Sequence, residues 1–326
     1  MAAKSKKRTK SPIDFKKLME SVESVSEARE QFAYVDVVID VTASDCLIDA
    51  VLEAFAPLGD NAQVSPVLME GKTAQLSMPC DLCVVVGGES LYLGEVAASA
   101  RRLGCPTVVV VEAGETYFAE TEEEAAELLG EAAFEAEVGV PVDDIVDVDF
   151  ADERPLDGLA RWIAVNAPAK RLSLAASFAF MRMPLSMELT ERIALQNAGV
   201  GLVIIVPGAD MPVITLSQAK LVLQIAGVYG QPIDQGRILE IGAVVAGAFG
   251  FRALARELSG AVPALGWGIK GAVAYTGTLA MGKAAVEYFE EGGRINGLAS
   301  KIRDAVDVAV AATEEQFAGA GESDTA

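Results

Sequence analysis

Tyr34-Val35-Asp36-Val37-Val38-Ile39-Asp40-Val41-Thr42-Ala43-Ser44-Asp45-Cys46 decides the fold of the first half of the chain. Val35, Val37, Ile39 and Val41 alternate with the period of a strand. Ser44 or Asp45 is placed to cap a helix. Leu47, Ala50, Val51, Ala54, Phe55 and Leu58 give that helix one apolar face. A strand that runs straight into a capped helix opens an α/β unit.

The pattern repeats outward from there. Strands are predicted over 63–69, 81–86, 107–111 and 144–150, and helices over 91–103, 120–134 and 155–167. Gly87-Gly88 ends the third strand, and Gly104 with Pro106 stops the helix before the fourth. Leu156, Leu159, Trp162 and Ile163 are expected to face inward. Such alternation predicts a parallel sheet covered on both faces. The fold class expected is α/β, a parallel-sheet domain followed by an all-α, Gly/Ala-rich helical domain.

After Pro168 the strand signal fades. Helices are predicted over 172–183, stopped by Pro184, and over 188–197. The run 199–206 is β-branched and reads as a strand or as a buried helical turn. Residues 207–212 read as a turn, Thr215 as the cap of a helix to Tyr229, and Gly230 as its stop. Further helices are expected over 236–258, 263–291 (ended by Gly292-Gly293) and 294–317. The organisation expected is a disordered basic tail at 1–13, an amphipathic helix at 14–32, an α/β domain at 33–168, a helical domain at 169–318 and a polar tail at 319–326.

The totals constrain function. The 326 residues are 52 % hydrophobic but only 6 % aromatic, so small aliphatic side chains supply the apolar mass. The formal net charge is −21, and residues 112–157 hold seventeen acids against one base, Arg154. That field repels nucleic-acid backbone, so nucleic acid is not an expected partner. The start is the reverse: Lys4, Lys6, Lys7, Arg8 and Lys10 form a basic tail, which an anionic lipid surface would attract by about 1 kcal/mol per residue.

No histidine is present, which removes His-based triads, His-ligated metals and the commonest neutral-pH acid–base group. The four cysteines are Cys46, Cys80, Cys83 and Cys105. Cys80-Asp81-Leu82-Cys83 has a metal or redox spacing. Cys80 and Cys105 nevertheless precede strands while Cys46 follows one, which puts them at opposite sheet edges and argues against one four-cysteine metal site. No metal and no cofactor is expected. The basic start runs into a charged stretch rather than an apolar one, so a reducing cytoplasm is the expected compartment.

A phosphate loop needs glycines, whose backbone N–H groups close around phosphate, and a lysine to neutralise it. The turn after the first strand offers Thr42, Ala43 and Ser44 with Asp40, Asp45 and Asp49 instead. Lys72-Thr73 follows Gly71, but at the wrong place. Gly87-Gly88 lies at the edge where such sheets bind ligands, yet Glu89 follows it. The only residual pocket candidates are Thr42, Ser44, Asp45, Gly87 and Gly88. No catalytic residue is expected.

From Tyr34 to Ala167 the chain resembles the Era-like branch of the translation-factor-type GTPases. The resemblance rests on Pro79-Cys80-Asp81-Leu82-Cys83-Val84-Val85-Val86, on Cys105-Pro106-Thr107-Val108-Val109-Val110-Val111 and on Asp157-Gly158-Leu159-Ala160-Arg161-Trp162-Ile163. It implies that family's frame without its nucleotide motifs, because no functional position carries over. The second half resembles the YcjF-like domain, which often follows an Era-like GTPase. The matching residues are Thr215-Leu216-Ser217-Gln218-Ala219-Lys220-Leu221, Ile225-Ala226-Gly227-Val228-Tyr229-Gly230, Thr276-Gly277-Thr278-Leu279-Ala280-Met281-Gly282-Lys283-Ala284-Ala285, Tyr288-Phe289 and Gly292-Gly293. This resemblance covers roughly 172–295 and implies association with membranes rather than a defined reaction.

Small residues recur at a spacing of four along two predicted helices: Gly242, Ala246 and Gly250 on one, Gly268, Ala272, Thr276, Ala280 and Ala284 on the next. Such faces let helix backbones approach closely, in a core or in lipid. The charge-free runs 241–251, 258–269 and 271–282 fall short of a span. A longer run, 258–282, holds Lys270 at its centre, which costs about 2.5–3.5 kcal/mol in a bilayer. A buried bundle and a membrane-associated hairpin both fit.

The function expected is therefore a non-enzymatic scaffold or regulatory interaction protein at the cytoplasmic side of a membrane, or in the cytoplasm. Its partners would be a membrane surface or helical membrane partner, a protein, or a second copy of the chain. Two other readings stay open. One is a sensor or enzyme binding a nucleotide or small ligand at the residual pocket. The other is a soluble homo-oligomeric module.

Overall fold

Runs of valine set the sheet. In the computed structural model, which describes residues 15–90, 92–113, 140–203, 211–231, 266–293 and 298–323, five strands pair in parallel. They are β1 (Ala33–Ile39), β2 (Ala62–Leu68), β3 (Leu82–Val86), β4 (Thr107–Glu112) and β5 (Ile145–Val148), in the order β2-β1-β3-β4-β5. The central strands β3 and β4 are buried almost throughout, because helices or connections cover both faces. Edge strand β2 is half-exposed and carries Pro66, whose missing N–H is tolerated only at an edge or a bulge.

The crossovers fix which face each helix covers. The chain moves one way across the sheet from β1 to β2 and the other way from β3 to β4. Right-handed connections therefore place α2 (Asp45–Ala54) and α3 (Leu93–Arg102) on opposite faces. Register puts Asp36 opposite Cys83 and Cys83 opposite Thr107, so Asp36, Val38, Cys83, Val85 and Val109 share the α3 face. Leu93, Val96, Ala97 and Ala100 pack there, and so does the β2–β3 connection through Met69, Ala74, Leu76 and Cys80. Asp36 is buried beneath that connection and accepts the backbone N–H of Ser77 at 2.6 Å.

Two helices follow the last strand, α4 (Asp157–Asn166) and α5 (Arg171–Ser177). Leu159, Trp162 and Ile163 are buried as expected, and Trp162 Nε1 donates to the carbonyl of Asp143 at 2.8 Å. The predicted helix over 172–183 is broken at Phe178, which is extended and meets Phe55, the residue after α2, edge to face at 5.0 Å. A 3-10 turn (Ala179–Met181) then leads into α6 (Arg182–Val203). Pro184 sits in the first turn of α6 rather than stopping the preceding helix, since a first-turn residue has no intrahelical partner for its N–H.

The chain divides into two compact units. Glu27–Leu185 forms one, and the described residues from Ser186 onward, with the first part of α1 (Phe15–Glu30), form the other. In the helical unit, residues 199–203 continue α6, which resolves the strand-or-helix ambiguity for that part of the run. Helix α7 (Met211–Val228) already includes the four residues before Thr215, so Thr215 is a fully buried interior residue and not a cap. Gly230 does end it, at φ +69, with Gln231 N–H closing on the Ala226 carbonyl. Gly292 ends α8 (Gly266–Glu290) at φ +76. Helix α9 (Leu298–Ser323) runs beyond the expected 317 into the stretch read as a polar tail.

Leu189, Leu221, Ile225, Met281, Ala285 and Ile302 are among the buried apolar residues of this unit. A polar knot lies among them. The Thr278 hydroxyl accepts from Asn197 Nδ2 at 3.0 Å and Gln218 Nε2 at 2.8 Å, and donates to the carbonyl of Ala274. Ser217 donates to Asn197 Oδ1 at 2.6 Å. One hydroxyl thus ties α6, α7 and α8 together. Among the described residues no helix is long and apolar enough to cross a membrane. The predicted helices over 120–134 and 236–258, and the basic tail, lie outside the described residues.

Candidate functional site

The order β2-β1-β3-β4-β5 reverses between β1 and β3, the place where doubly wound sheets open a ligand crevice beyond the strand ends. Two turns meet there. The first leaves β1 through Asp40, Val41, Thr42 and Ala43; the second leaves β3 through Gly87, Gly88, Glu89 and Ser90.

Asp40 is the centre. It is 2 % exposed, and its own N–H is fixed to the Val86 carbonyl. One carboxylate oxygen accepts the N–H groups of Gly88 and Ser90, each at 3.1 Å, and the other accepts that of Thr42 at 3.1 Å. The Asp40 carbonyl takes the N–H of Ala43, closing a tight turn. The Thr42 hydroxyl accepts the N–H of Glu89 at 2.8 Å. Backbone N–H groups converging on one point are what an anion site is made of. Here the anion is a side chain of the chain itself.

Ser44 caps α2, its Oγ accepting Leu47 N–H at 3.2 Å. The same hydroxyl donates to the carboxylate of Glu112 at the end of β4. Gly88 permits the closest approach: a Cβ there would fall on the backbone of Thr42 and Ala43. The two turns are therefore in direct backbone contact. No Lys or Arg lies within residues 40–45 or 87–90, while Asp40, Asp45 and Glu89 do.

The structure brings together four of the five residual pocket candidates, Thr42, Ser44, Gly87 and Gly88, but bonds them to their own neighbours. Asp45 is exposed in the first turn of α2. Asp40 and Glu112 complete the arrangement and were not among the candidates. The signal for Asp40 was available: Asp two residues before Thr at a strand end suits an Asx turn. Among the described residues, no group of three or more Cys, Asp or Glu is arranged to hold a metal.

The helix faces divide similarly. Gly242, Ala246 and Gly250 lie outside the described residues. Gly268, Ala272, Thr276 and Ala280 lie on α8; Ala272, Thr276 and Ala280 are half-buried, and Thr276 accepts from Thr313 of α9 at 3.2 Å. The tightest glycine contacts of α8 are elsewhere. A Cβ on Gly271 would stand 2.8 Å from Leu202 Cγ, and one on Gly282 would fall on Thr190, both on α6. Leu202 and Val203 of α6 and Val213 of α7 are exposed, Val203 by 76 %.

No family model matches the chain, and no curated protein matches it.

Proposed function

We propose that the chain is a non-enzymatic interaction protein: a GTPase-like α/β domain without a nucleotide site, joined to a YcjF-like helical domain, acting as a scaffold or regulator at the cytoplasmic face of a membrane. One observation carries this reading. The Asp40 carboxylate takes the three N–H groups that a phosphate would need, at the one point of the sheet where a phosphate would bind. A bound triphosphate would meet a fixed negative charge in place of a lysine. With no nucleotide to turn over, the α/β domain is left with recognition, and its acidic composition suits a protein partner.

The helical domain supplies the membrane contact, either to the lipid surface or to a helical membrane partner. Its exposed apolar Leu202, Val203 and Val213 support docking at a membrane surface. The test is fractionation of cells expressing the full chain, followed by an alkaline carbonate wash of the membranes. The expected result is recovery with membranes and release by the wash. Recovery wholly in the soluble fraction would remove the membrane part of the proposal, and retention after the wash would replace peripheral docking with insertion.

A further inference from the structure

Cys80 and Cys105 precede two strands that pair with each other, β3 and β4. Their sulfur atoms lie 2.6 Å apart. Cys80 is half-buried and within reach of a small solute, while Cys105 is only 3 % exposed. The hydrogen bond to Cys80, and then burial, push the Cys105 thiol well above its ordinary range. Cys105 therefore keeps its proton, and Cys80 is the more accessible of the two sulfur atoms. Cys83 is buried in the strand interior opposite Asp36, and burial pushes its thiol up as well. Cys46 is exposed on α2, beyond the other end of the strands.

We propose that Cys80 and Cys105 form a reversible dithiol–disulfide site whose oxidant is hydrogen peroxide. Cys80 sulfur attacks the peroxide oxygen, the O–O bond breaks, and the leaving hydroxide takes the Cys80 proton as water. Cys80 is then a sulfenic acid. Cys105 sulfur attacks Cys80 sulfur, the S–S bond forms, the S–O bond breaks, and the departing hydroxide leaves as water with the Cys105 proton. Two thiols lose two electrons and two protons, and one peroxide becomes two waters. A dithiol reductant reverses the step by exchange. The bond closes a loop holding β3, the Gly87-Gly88 turn and α3, which restricts the unfolded chain.

The test uses the full purified chain and hydrogen peroxide, added until exposed Cys46 is oxidised, which serves as the internal control. Non-reducing peptide mapping should then show a Cys80–Cys105 linked pair two hydrogens lighter than the sum of its peptides, lost on adding dithiothreitol. The oxidised chain should melt roughly 5–10 °C above the reduced one. In Cys105→Ser, dimedone should label Cys80, since the second step is removed. The proposal fails if Cys46 oxidises while Cys80 and Cys105 stay free thiols, or if Cys80 pairs with Cys46 or Cys83. It fails equally if Cys80 in the folded Cys105→Ser protein takes no dimedone. If that variant does not fold, the map of the native chain decides alone.

Discussion

The carboxylate of Asp40 accepts the backbone N–H of Gly88 at 3.1 Å, across forty-eight residues of sequence. That bond joins the turn after β1 to the turn after β3 and fills the point where the sheet would otherwise open a crevice.

Asp40→Ala removes the acceptor for three backbone donors, that of buried Gly88 among them, and should cost about 2–4 kcal/mol of stability. Asp40→Asn keeps the shape and one acceptor oxygen and should cost less, about 1–2 kcal/mol. Urea unfolding of the three proteins gives the order. Equal stability of Asp40→Ala and the parent would show that the corner is not held by this carboxylate.

Gly88→Ala places a methyl on the backbone of Thr42 and Ala43 and should cost about 3 kcal/mol or force the turns apart. Gly59→Ala is the matched control: its Cβ would meet nothing within 4 Å, so the change should stay within about 0.5 kcal/mol. Thermal melting of both variants separates a steric requirement from a general intolerance of glycine replacement.

Much of this fold is legible in the sequence, and the places where it is not share a reason. Alternating valines and the Gly87-Gly88 stop locate the strands because those signals are local. Pro184 and Thr215 mislead because each has two local meanings: Pro both stops and starts helices, and Thr both caps them and sits inside them. Arg182, where α6 begins, carries no capping signature of its own. The link from Asp40 to the second turn is out of reach for another reason. Its donors Gly88 and Ser90 are distant in sequence, and only the pairing of β1 with β3 brings them to it. Thr278 is hidden in the same way, since Asn197 and Gln218 come from two other helices.

Thr278→Val keeps volume but deletes the oxygen that accepts from Asn197 and Gln218, and should destabilise the helical unit by about 1–3 kcal/mol. Thr278→Ser restores the oxygen and should recover most of that loss. Helical circular dichroism followed through urea unfolding checks the pair, and a Val variant as stable as the parent would show that the hydroxyl does not hold these helices together.

The buried Cys83 thiol makes stability depend on pH. Burial raises its folded pKa, whereas the unfolded thiol ionises near its ordinary value of about 8.5. Below that pH both states hold the proton and the thiol contributes no pH dependence. Above it the unfolded state releases the proton first, so stability falls as pH rises, by about 1.4 kcal/mol per pH unit for one thiol. Under reducing conditions, Cys83→Ala should therefore lose stability less steeply than the parent between about pH 9 and 10. Parallel slopes would show that Cys83 ionises equally in both states.

The most direct measurement is calorimetric titration of Mg-GTP, then Mg-GDP, into the full chain at neutral pH. The account predicts no saturable heat for either nucleotide up to millimolar concentration, because Asp40 already occupies the N–H groups of Thr42, Gly88 and Ser90. Saturable binding with a micromolar Kd, lost in Gly88→Ala, would contradict it and return this corner of the sheet to nucleotide chemistry.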